Sequence, residues 1–297
     1  MTGQFTLAAT GDLVVADPQP DSLDADLSAL LQQADASVGH LEPVLADDDC
    51  PHASLRQVRD QYQYLAPFPG AIMRADPAVL DGLAALGLDV LTAASNHALD
   101  FGRPGIQRTL AALSERDLPV AGIGLDLHDA RQPATVDTAA GRVAVVHATT
   151  SVPPGGEAGV STQAFEGQAG VNPLHVEWTY RLPPEQFEYL QSIAETTGIE
   201  AVKGEWLRRE NPDWDADDAF HFMHMRCRPA TDRHPPGISL SLHDEDREAV
   251  LASVEAAAAD ADWVVAAVHS HQSSAGDRNT GETPRFLRQF ARACVDS

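Results

Sequence analysis

The sequence contains almost no lysine and far fewer basic than acidic residues. Lys203 is the only lysine among 20 basic residues, which face 44 acidic residues and leave a net charge of −24. Such a charge repels nucleic acids and anionic membranes. An acidic surface poor in lysine suits a salt-rich cytosol, because screening removes its self-repulsion. A GC-rich genome would explain the missing lysines but not the excess of acids, so the composition favours a halophilic protein that does not bind nucleic acid.

Cysteines and long apolar runs are also scarce. The three cysteines, Cys50, Cys227 and Cys294, are far apart and odd in number, which predicts neither a disulfide framework nor a CxxC metal knuckle. No apolar run approaches the ~20 residues that span a bilayer, and residues 1–12 lack the features of a signal peptide. We therefore expect a reduced, cytoplasmic protein without a membrane segment.

Strand and helix patterns alternate over the first half of the chain. Apolar runs predict strands at 4–10, 36–39, 88–94, 119–121 and 263–268, and a hairpin that joins 134–136 to 142–147. Helical spacing predicts helices at 21–34, 77–86, 104–116, 184–197, 244–260 and 283–295. Alternation up to about residue 148 is typical of βαβ units, so we predict an α/β fold with a mainly parallel sheet.

Two stretches do not follow this alternation. Residues 47–69 are polar, aromatic and irregular, and residues 151–242 are rich in proline, glycine and aromatics. The second stretch contains Trp178, Tyr180, Trp206 and Trp214, which need a surface to pack on. We therefore expect one domain over 1–297, with 151–242 as an insertion or cap within it.

Four groups of polar residues lie just past the carboxyl ends of predicted strands. They are Asp12; Glu42; Asn96, His97 and Asp100; and His269 with His271. Ligands of open α/β sheets bind at that end of the strands. Carboxylate, amide oxygen and imidazole together form the ligand set of a divalent ion such as Mn²⁺, Fe²⁺ or Zn²⁺. The joint placement of the four groups predicts a site for one or two such ions.

Each residue alone also has an ordinary structural explanation. Asp12 fits a turn or helix cap, Glu42 a solvated loop acid, Asn96 an N-cap, His97 a core histidine, and Asp100 a helix cap or loop contact. Residues 269 and 271 fall on the same side of an extended chain, so both imidazoles could chelate one ion, or only one could face the site. The sequence leaves these alternatives open.

The order of several short motifs resembles the bacterial capsule-synthesis CapA (poly-γ-glutamate biosynthesis) family, part of the calcineurin-like metallophosphatase superfamily. The motifs are Gly11-Asp12, Leu41-Glu42, the octapeptide 95–102, the stretches 122–126 and 130–133, and the strand 262–269. The octapeptide SNHALDFG is the most specific of them, since the family's own version reads NNHALDYG. The resemblance covers nearly the whole chain and is weakest over 151–242.

The resemblance implies an αββα sandwich of the metallo-dependent phosphatase type, with a metal site at the strand ends. It implies metal ligation by Asp12, Glu42, Asn96 and His269, to which we add His271. It also implies that His97 is a general acid or phosphate-binding group, and we group Asp100 with His97 as a catalytic residue. The cofactors would be one or two ions of Mn, Fe or Zn.

Three departures from the family pattern affect the expected site. Position 14, where the phosphatase DxH motif would place a histidine, is Val14, and His269 is followed by Ser270-His271 rather than Trp-Gly. The family also continues with a further strand and a Gly-His-x-Pro-His type motif, whereas this sequence stops at Ser297. We therefore expect a C-terminally truncated chain that lacks C-terminal strands and one or two histidine ligands.

The leading functional prediction is a CapA-like, metal-dependent hydrolase of a phosphoester or related bond, acting on a small molecule or an anionic polymer in capsule or poly-γ-glutamate-type biosynthesis. The alternative is a non-catalytic polymer-binding or accessory protein on the same fold, which the missing histidines favour. A third possibility is a truncated product without a stable function. The sequence leaves the substrate and the oligomeric state open.

Overall fold

The computed structural model describes residues 5–15, 25–47, 49–50, 72–199, 219–223, 225–272 and 282–297. The helices within these ranges are α1 (Ala25–Gln33), α2 (Val79–Leu86), α3 (Gly102–Ser114), α4 (Leu127–Arg131), α5 (Pro184–Thr197), α6 (Asp244–Asp260) and α7 (Arg285–Asp296). The strands are β1 (Leu7–Leu13), β2 (Ala36–Leu41), β3 (Val44–Leu45), β4 (Arg74–Ala75), β5 (Val90–Thr92), β6 (Val120–Ala121), β7 (Ile123–Gly124), β8 (Ala134–Thr138), β9 (Gly141–Thr149), β10 (Gly170–Val171), β11 (Val176–Leu182), β12 (Phe220–Phe222), β13 (Met225–Pro229), β14 (Gly237–Leu242) and β15 (Trp263–His269). This mixture confirms the predicted α/β class.

The chain divides into two compact units, of which the first comprises Met1–His175, Asp244–Gln272 and Leu287–Ser297. Its largest sheet has the order β1-β2-β5-β6, with every neighbouring pair parallel. Every residue of β2 is buried, as expected of a central parallel strand that is covered on both faces. Helices α1, α2 and α3 contribute to a leucine-rich cluster with β1, β2 and β5, which holds them against this sheet.

A second sheet in the same unit has the order β15-β9-β8, with β15 parallel and β8 antiparallel to β9. Helix α6 packs against β9 and β15. A further buried cluster draws on both sheets and consists of Val38, Val90, Ala121, Ala134 and Val145. The apolar side chains of β2, β5 and β6 therefore pack on those of β8 and β9, and this contact brings the ends of strands from two sheets close together.

The second unit comprises Val176–His243 and Ser273–Phe286. Its sheet has the order β12-β13-β11-β14, in which β11 is parallel to β13 and antiparallel to β14. Helix α5 packs on β12 and β13, and the ring of Phe187 meets that of Phe220 edge-on at 6.0 Å. The sequence pattern predicts no strand for β11, because aromatic residues alternate there with polar and charged ones and the segment has no apolar run.

Several predicted elements agree closely with the structure. The helices at 184–197 and 244–260 have the predicted bounds, and the hairpin forms between β8 and β9 with Gly141 at its turn. The first strand was placed wrongly: it runs over Leu7–Leu13, so Asp12 lies within the strand and not past its end. Pairing with β2 resumes after an irregularity between Ala9 and Asp12, which carries the strand further than the apolar run indicates.

Some predictions fall outside the described residues, including most of the irregular stretch at 47–69, the start of the first predicted helix, and Trp206 with Trp214. None of the helices in the described ranges is long and apolar enough to cross a membrane.

Candidate functional site

The predicted site residues come together in the first unit, at the ends of strands from both of its larger sheets. The pairing of β1 with β2 sets Asp12 opposite His40, and Glu42 follows one residue after β2. Asn96 lies in the turn after β5, while His269 is the last residue of β15 in the other sheet. The site is therefore assembled from segments far apart in the chain.

Three side-chain atoms that could bind a metal ion, referred to below as donor atoms, converge in this site. The Oδ1 atom of Asn96 lies 2.9 Å from Nε2 of His269 and 2.9 Å from Nε2 of His271. The two Nε2 atoms are 3.2 Å apart. Both histidines thus face the same point, which resolves the alternative in which only one of them faces inward.

The larger set of donors forms two overlapping groups. One consists of Asp12, His40 and His269, the other of Glu42, His269 and His271, and within each the ligand atoms lie within 4.8 Å of one another. In the first group, Asp12 Oδ1 is 3.9 Å from His40 Nε2 and 3.6 Å from His269 Nδ1. The arrangement offers carboxylate and imidazole donors to a divalent ion.

Two imidazoles of the site, those of His40 and His269, are held in their neutral form. Burial, opposed by Asp12, lowers the pKa of His40 to about 4. Burial, followed by the neighbouring His40 and His271, lowers the pKa of His269 to about 4. A neutral imidazole presents a lone pair, which is the form that binds a metal.

Glu42 is a buried carboxyl group in the same cluster. Only 6% of the residue is exposed, so the alternative of a solvated loop acid is wrong. Burial, and then the nearby Asp12, raise the pKa of Glu42. The backbone carbonyl of Glu42 accepts a hydrogen bond from Ser95 Oγ at 3.2 Å, and Ser95 Oγ accepts one from the N–H of His97 at 3.1 Å. These bonds tie the Glu42 segment to the loop that follows β5.

His97 and Asp100 form a pair at the edge of the cluster. His97 Nδ1 lies 2.7 Å from Asp100 Oδ2, which also accepts the backbone N–H of Met73 at 2.7 Å. The other ring nitrogen, Nε2, lies 4.0 Å from Oε1 of Glu42. The hydrogen bond to Asp100 raises the pKa of His97, so this imidazole holds a proton more readily than its neighbours.

The structure also decides the capping alternatives for this loop. Helix α3 begins at Gly102, and its N-cap is Phe101, without a side-chain cap hydrogen bond. Asn96 and Asp100 are therefore not caps of this helix, and their side chains turn to the histidines instead. Asp12 is exposed, with 47% of its side chain accessible.

Two histidines of the cluster were not among the predicted site residues. His40 stacks on His269 with ring centroids 4.7 Å apart, and its ring centroid lies 5.1 Å from that of His147. A usable signal existed for His40: it stands two residues before Glu42, the same spacing that singled out His269 and His271. His147 is the last residue of a predicted strand, next to the position just past a strand end at which the predicted site residues were found.

His147 has a different environment from the other histidines. Its Nδ1 accepts the backbone N–H of Ala94 at 3.2 Å, and burial lowers its pKa well below the usual range. Gly122, with φ +96°, leaves room for the ring, since a Cβ there would lie 2.5 Å from His147 Nδ1. His147 therefore supports the backbone just before Asn96 through this hydrogen bond.

A cavity of about 430 Å³ lies elsewhere in the first unit, lined by residues of α4 and α6 such as His128, Arg131 and Ser253. None of the converging donor atoms described above is in its wall. We place the candidate site at the donor cluster, because its ligand atoms converge on one point.

The chain is similar to known proteins over its full length. Two curated proteins of Sinorhizobium fredii (strain NBRC 101917 / NGR234), the uncharacterized proteins y4sH and y4uA, are each 25% identical to it over 297 residues. The match includes 99% of this chain but 59% of each relative, so the chain spans about three fifths of the length of the curated relatives it matches. The family model "Bacterial capsule synthesis protein PGA_cap" matches residues 1–297. The chain therefore belongs to this bacterial capsule synthesis family.

Proposed function

We propose that this protein is a metal-dependent hydrolase of a phosphoester or related bond in the biosynthesis of a capsule or poly-γ-glutamate-type polymer. The observation that carries the proposal is the triangle of Asn96 Oδ1, His269 Nε2 and His271 Nε2, with sides of 2.9, 2.9 and 3.2 Å. Ligand atoms that share one ion with bonds of about 2.1 Å lie about 3 Å apart. The triangle therefore has the dimensions of a metal site.

The chemistry of the donors fits such an ion. Asp12, Glu42, Asn96, His269 and His271 would hold one or two such ions, with two carboxylates, an amide oxygen and two imidazoles. This mixed set suits Mn, Fe or Zn better than an all-oxygen cation such as Ca²⁺. When bound, a divalent ion would polarise the substrate's oxygen atoms and lower the pKa of a water.

The residues of the chain itself would supply the proton and the orientation. His97 directs Nε2 toward Glu42, while its Nδ1 is held by Asp100. A protonated His97 would give its Nε2 proton to the leaving oxygen as the ester bond breaks. Asp100, fixed by the backbone N–H of Met73, would keep the ring in the orientation that this transfer needs.

We further propose that the first unit is the αββα sandwich of the metallophosphatase type, within one domain over 1–297. The apolar cluster shared by the two sheets, the helices α1 to α3 beside one sheet and α6 beside the other support this arrangement. The cytoplasmic location and the halophilic character remain predictions from composition.

The decisive experiment measures bound metal and hydrolysis on the same protein. Purified protein is analysed for Mn, Fe and Zn, and then assayed with p-nitrophenyl phosphate and bis-p-nitrophenyl phosphate. We expect Asn96→Ala and His271→Ala to lose bound metal and to lower kcat/KM at least about 10²-fold, the scale of a lost catalytic group. His128→Ala, a histidine outside the cluster, is the matched control and keeps both.

Two results would contradict the proposal. A wild-type protein that binds none of the three metals is not a metal-dependent hydrolase. A protein that binds metal and a capsule-type polymer, yet turns over neither phosphoester, would be the accessory protein that the sequence offered as the alternative.

A further inference from the structure

His40 carries a buried ring nitrogen with no partner among the described residues. Its side chain is 9% exposed, so it is nine-tenths buried. Nδ1 lies 3.0 Å from Thr92 Oγ1, whereas Nε2 is buried without any hydrogen bond. Leaving a polar atom unpaired in the interior destabilises a protein, so such an atom calls for an explanation.

The pattern of contacts around His40 is that of a metal ligand. A ligating histidine characteristically has one nitrogen held by a neighbouring polar group, while the other points at the ion. Here Thr92 holds Nδ1, and Nε2 points toward Asp12, whose Oδ1 is 3.9 Å away. The ladder of β1 and β2 pairs these two residues directly, so their approach is built into the backbone.

The neighbouring His269 cannot serve as ligand in both donor groups. A neutral imidazole has one nitrogen with a lone pair and one that carries hydrogen. His269 Nε2 takes part in the triangle with Asn96 and His271, which leaves Nδ1 as the N–H that faces Asp12 Oδ1 at 3.6 Å. Beside Asp12, the only lone-pair nitrogen of this described donor group is then Nε2 of His40.

We propose that His40 Nε2 and Asp12 are ligands of an ion distinct from the one at Asn96, His269 and His271. The inference rests on the proposed function, since it requires the cluster to bind metal. Val14, two residues after Asp12, offers no donor atom. The imidazole beside Asp12 comes instead from the neighbouring strand. Glu42, also in the cluster, is near enough to Asp12 for the two carboxyls to interact.

His147 provides the comparison that separates a ligand from a buried structural histidine. Its ring lies 5.1 Å from that of His40 and is also buried, but its Nδ1 accepts a hydrogen bond from Ala94 N–H. It also interacts with the backbone of Ala121. Because replacing His147 would also disturb the chain before Asn96, the matched control is His128, an exposed histidine outside the cluster.

The test counts ions. Metal-free wild type and the variants His40→Leu, His271→Leu and His128→Leu are titrated with Mn²⁺ alone, and bound ion is measured by equilibrium dialysis. We expect two ions in wild type and in His128→Leu, and one in each of the other two variants. Electron paramagnetic resonance of the wild type should show the coupled signal of two neighbouring Mn²⁺ ions, which His40→Leu converts to that of an isolated ion.

The outcomes separate the two proposals. If wild type binds no Mn²⁺, Fe²⁺ or Zn²⁺, the proposed function fails. If wild type binds one ion and His40→Leu still binds it, or if His40→Leu retains two, the assignment of His40 is wrong while metal binding stands. If His40→Leu does not fold, Thr92→Val decides, because it keeps the ring and removes the hydroxyl that lies 3.0 Å from Nδ1: we expect about 10-fold weaker binding of one ion, and an unchanged Kd contradicts the assignment.

Discussion

At the scale of single residues, His97 differs from the other histidines of the site because of one neighbour. His40 and His269 are neutral because burial lowers their pKa, whereas the carboxylate of Asp100 raises that of His97. The same cluster thus contains imidazoles suited to donate a lone pair and one suited to donate a proton. Such a divergence of pKa values within one site is typical of acid–base catalysis.

His97→Gln should therefore affect some substrates more than others. We expect kcat to fall about 10²–10⁴-fold for phenyl phosphate, the range for loss of a general acid, and to fall less for p-nitrophenyl phosphate. The reason is that p-nitrophenolate leaves without needing a proton. The kcat values of both esters, measured with wild type and variant at equal metal content, check this. Equal losses for the two esters would assign His97 to phosphate binding instead.

At the scale of elements, the first turn of α6 is tied to the segment before β11. Asp246, in this turn, accepts hydrogen bonds from the backbone N–H of His175 at 3.0 Å and from its Nδ1 at 2.6 Å. Arg131 of α4 lies 4.0 Å from the same carboxylate. The hydrogen bond to Asp246 raises the pKa of His175, so this contact stabilises the fold in a pH-dependent way.

The sign of that dependence follows from linkage. A pKa raised by folding gives stability that is complete below the unfolded value near 6.5 and is lost as the pH rises through the folded value. We expect His175→Gln to lower Tm more at pH 6 than at pH 9. Since His175 is 46% exposed, the difference should shrink in 1 M KCl.

Thermal unfolding of wild type, His175→Gln, Asp246→Asn and the double variant measures the coupling of the pair directly. In the Asp246→Asn background, replacing His175 should have no effect that varies with pH. An equal loss at both pH values in the wild-type background would show that the pair does not act through its charge.

At the scale of the whole molecule, net charge is the dominant electrostatic property. With a net charge of −24 at pH 7 and a pI near 4.6, the folded chain repels itself. The Debye length falls from about 10 Å at 0.1 M salt to about 3 Å at 1 M. Salt should therefore relieve the repulsion that destabilises the compact state.

Tm at pH 7 should rise as KCl increases from 0.1 to 2 M, most steeply at the low end where screening changes fastest. The matched control is the same series near pH 4.6, where the net charge is close to zero and the effect should be much smaller. Calorimetry of both series provides the comparison. A Tm at pH 7 that is constant or falls with KCl would contradict an adaptation to salt.

Short-range sequence patterns predicted the elements whose ends are determined by neighbouring residues. The helix at 184–197 begins at Pro184 and ends before Gly198, whose backbone lies in the left-handed region. A proline in the first turn is a start signal, and a glycine just past the end is a stop signal; both can be read from the sequence. The sheet of the second unit, with the order β12-β13-β11-β14, was not predicted. Its strands are stabilised by pairing with one another, and none of them was recognised as an apolar run in the sequence. The end of β1 was misplaced for a similar reason: its pairing with β2 extends the strand to Leu13.

The sequence by itself determined the α/β class, the acidity of the molecule and the placing of Glu42, Asn96 and His269 near strand ends, because these depend on composition and on neighbours a few residues apart. Only the tertiary structure decided which of these side chains meet. Asn96 and His269 are 173 residues apart, and their contact depends on the packing of one sheet against another. The pairing of β1 with β2 set His40 opposite Asp12, and burial in the folded chain left Nε2 of His40 without a hydrogen bond among the described residues.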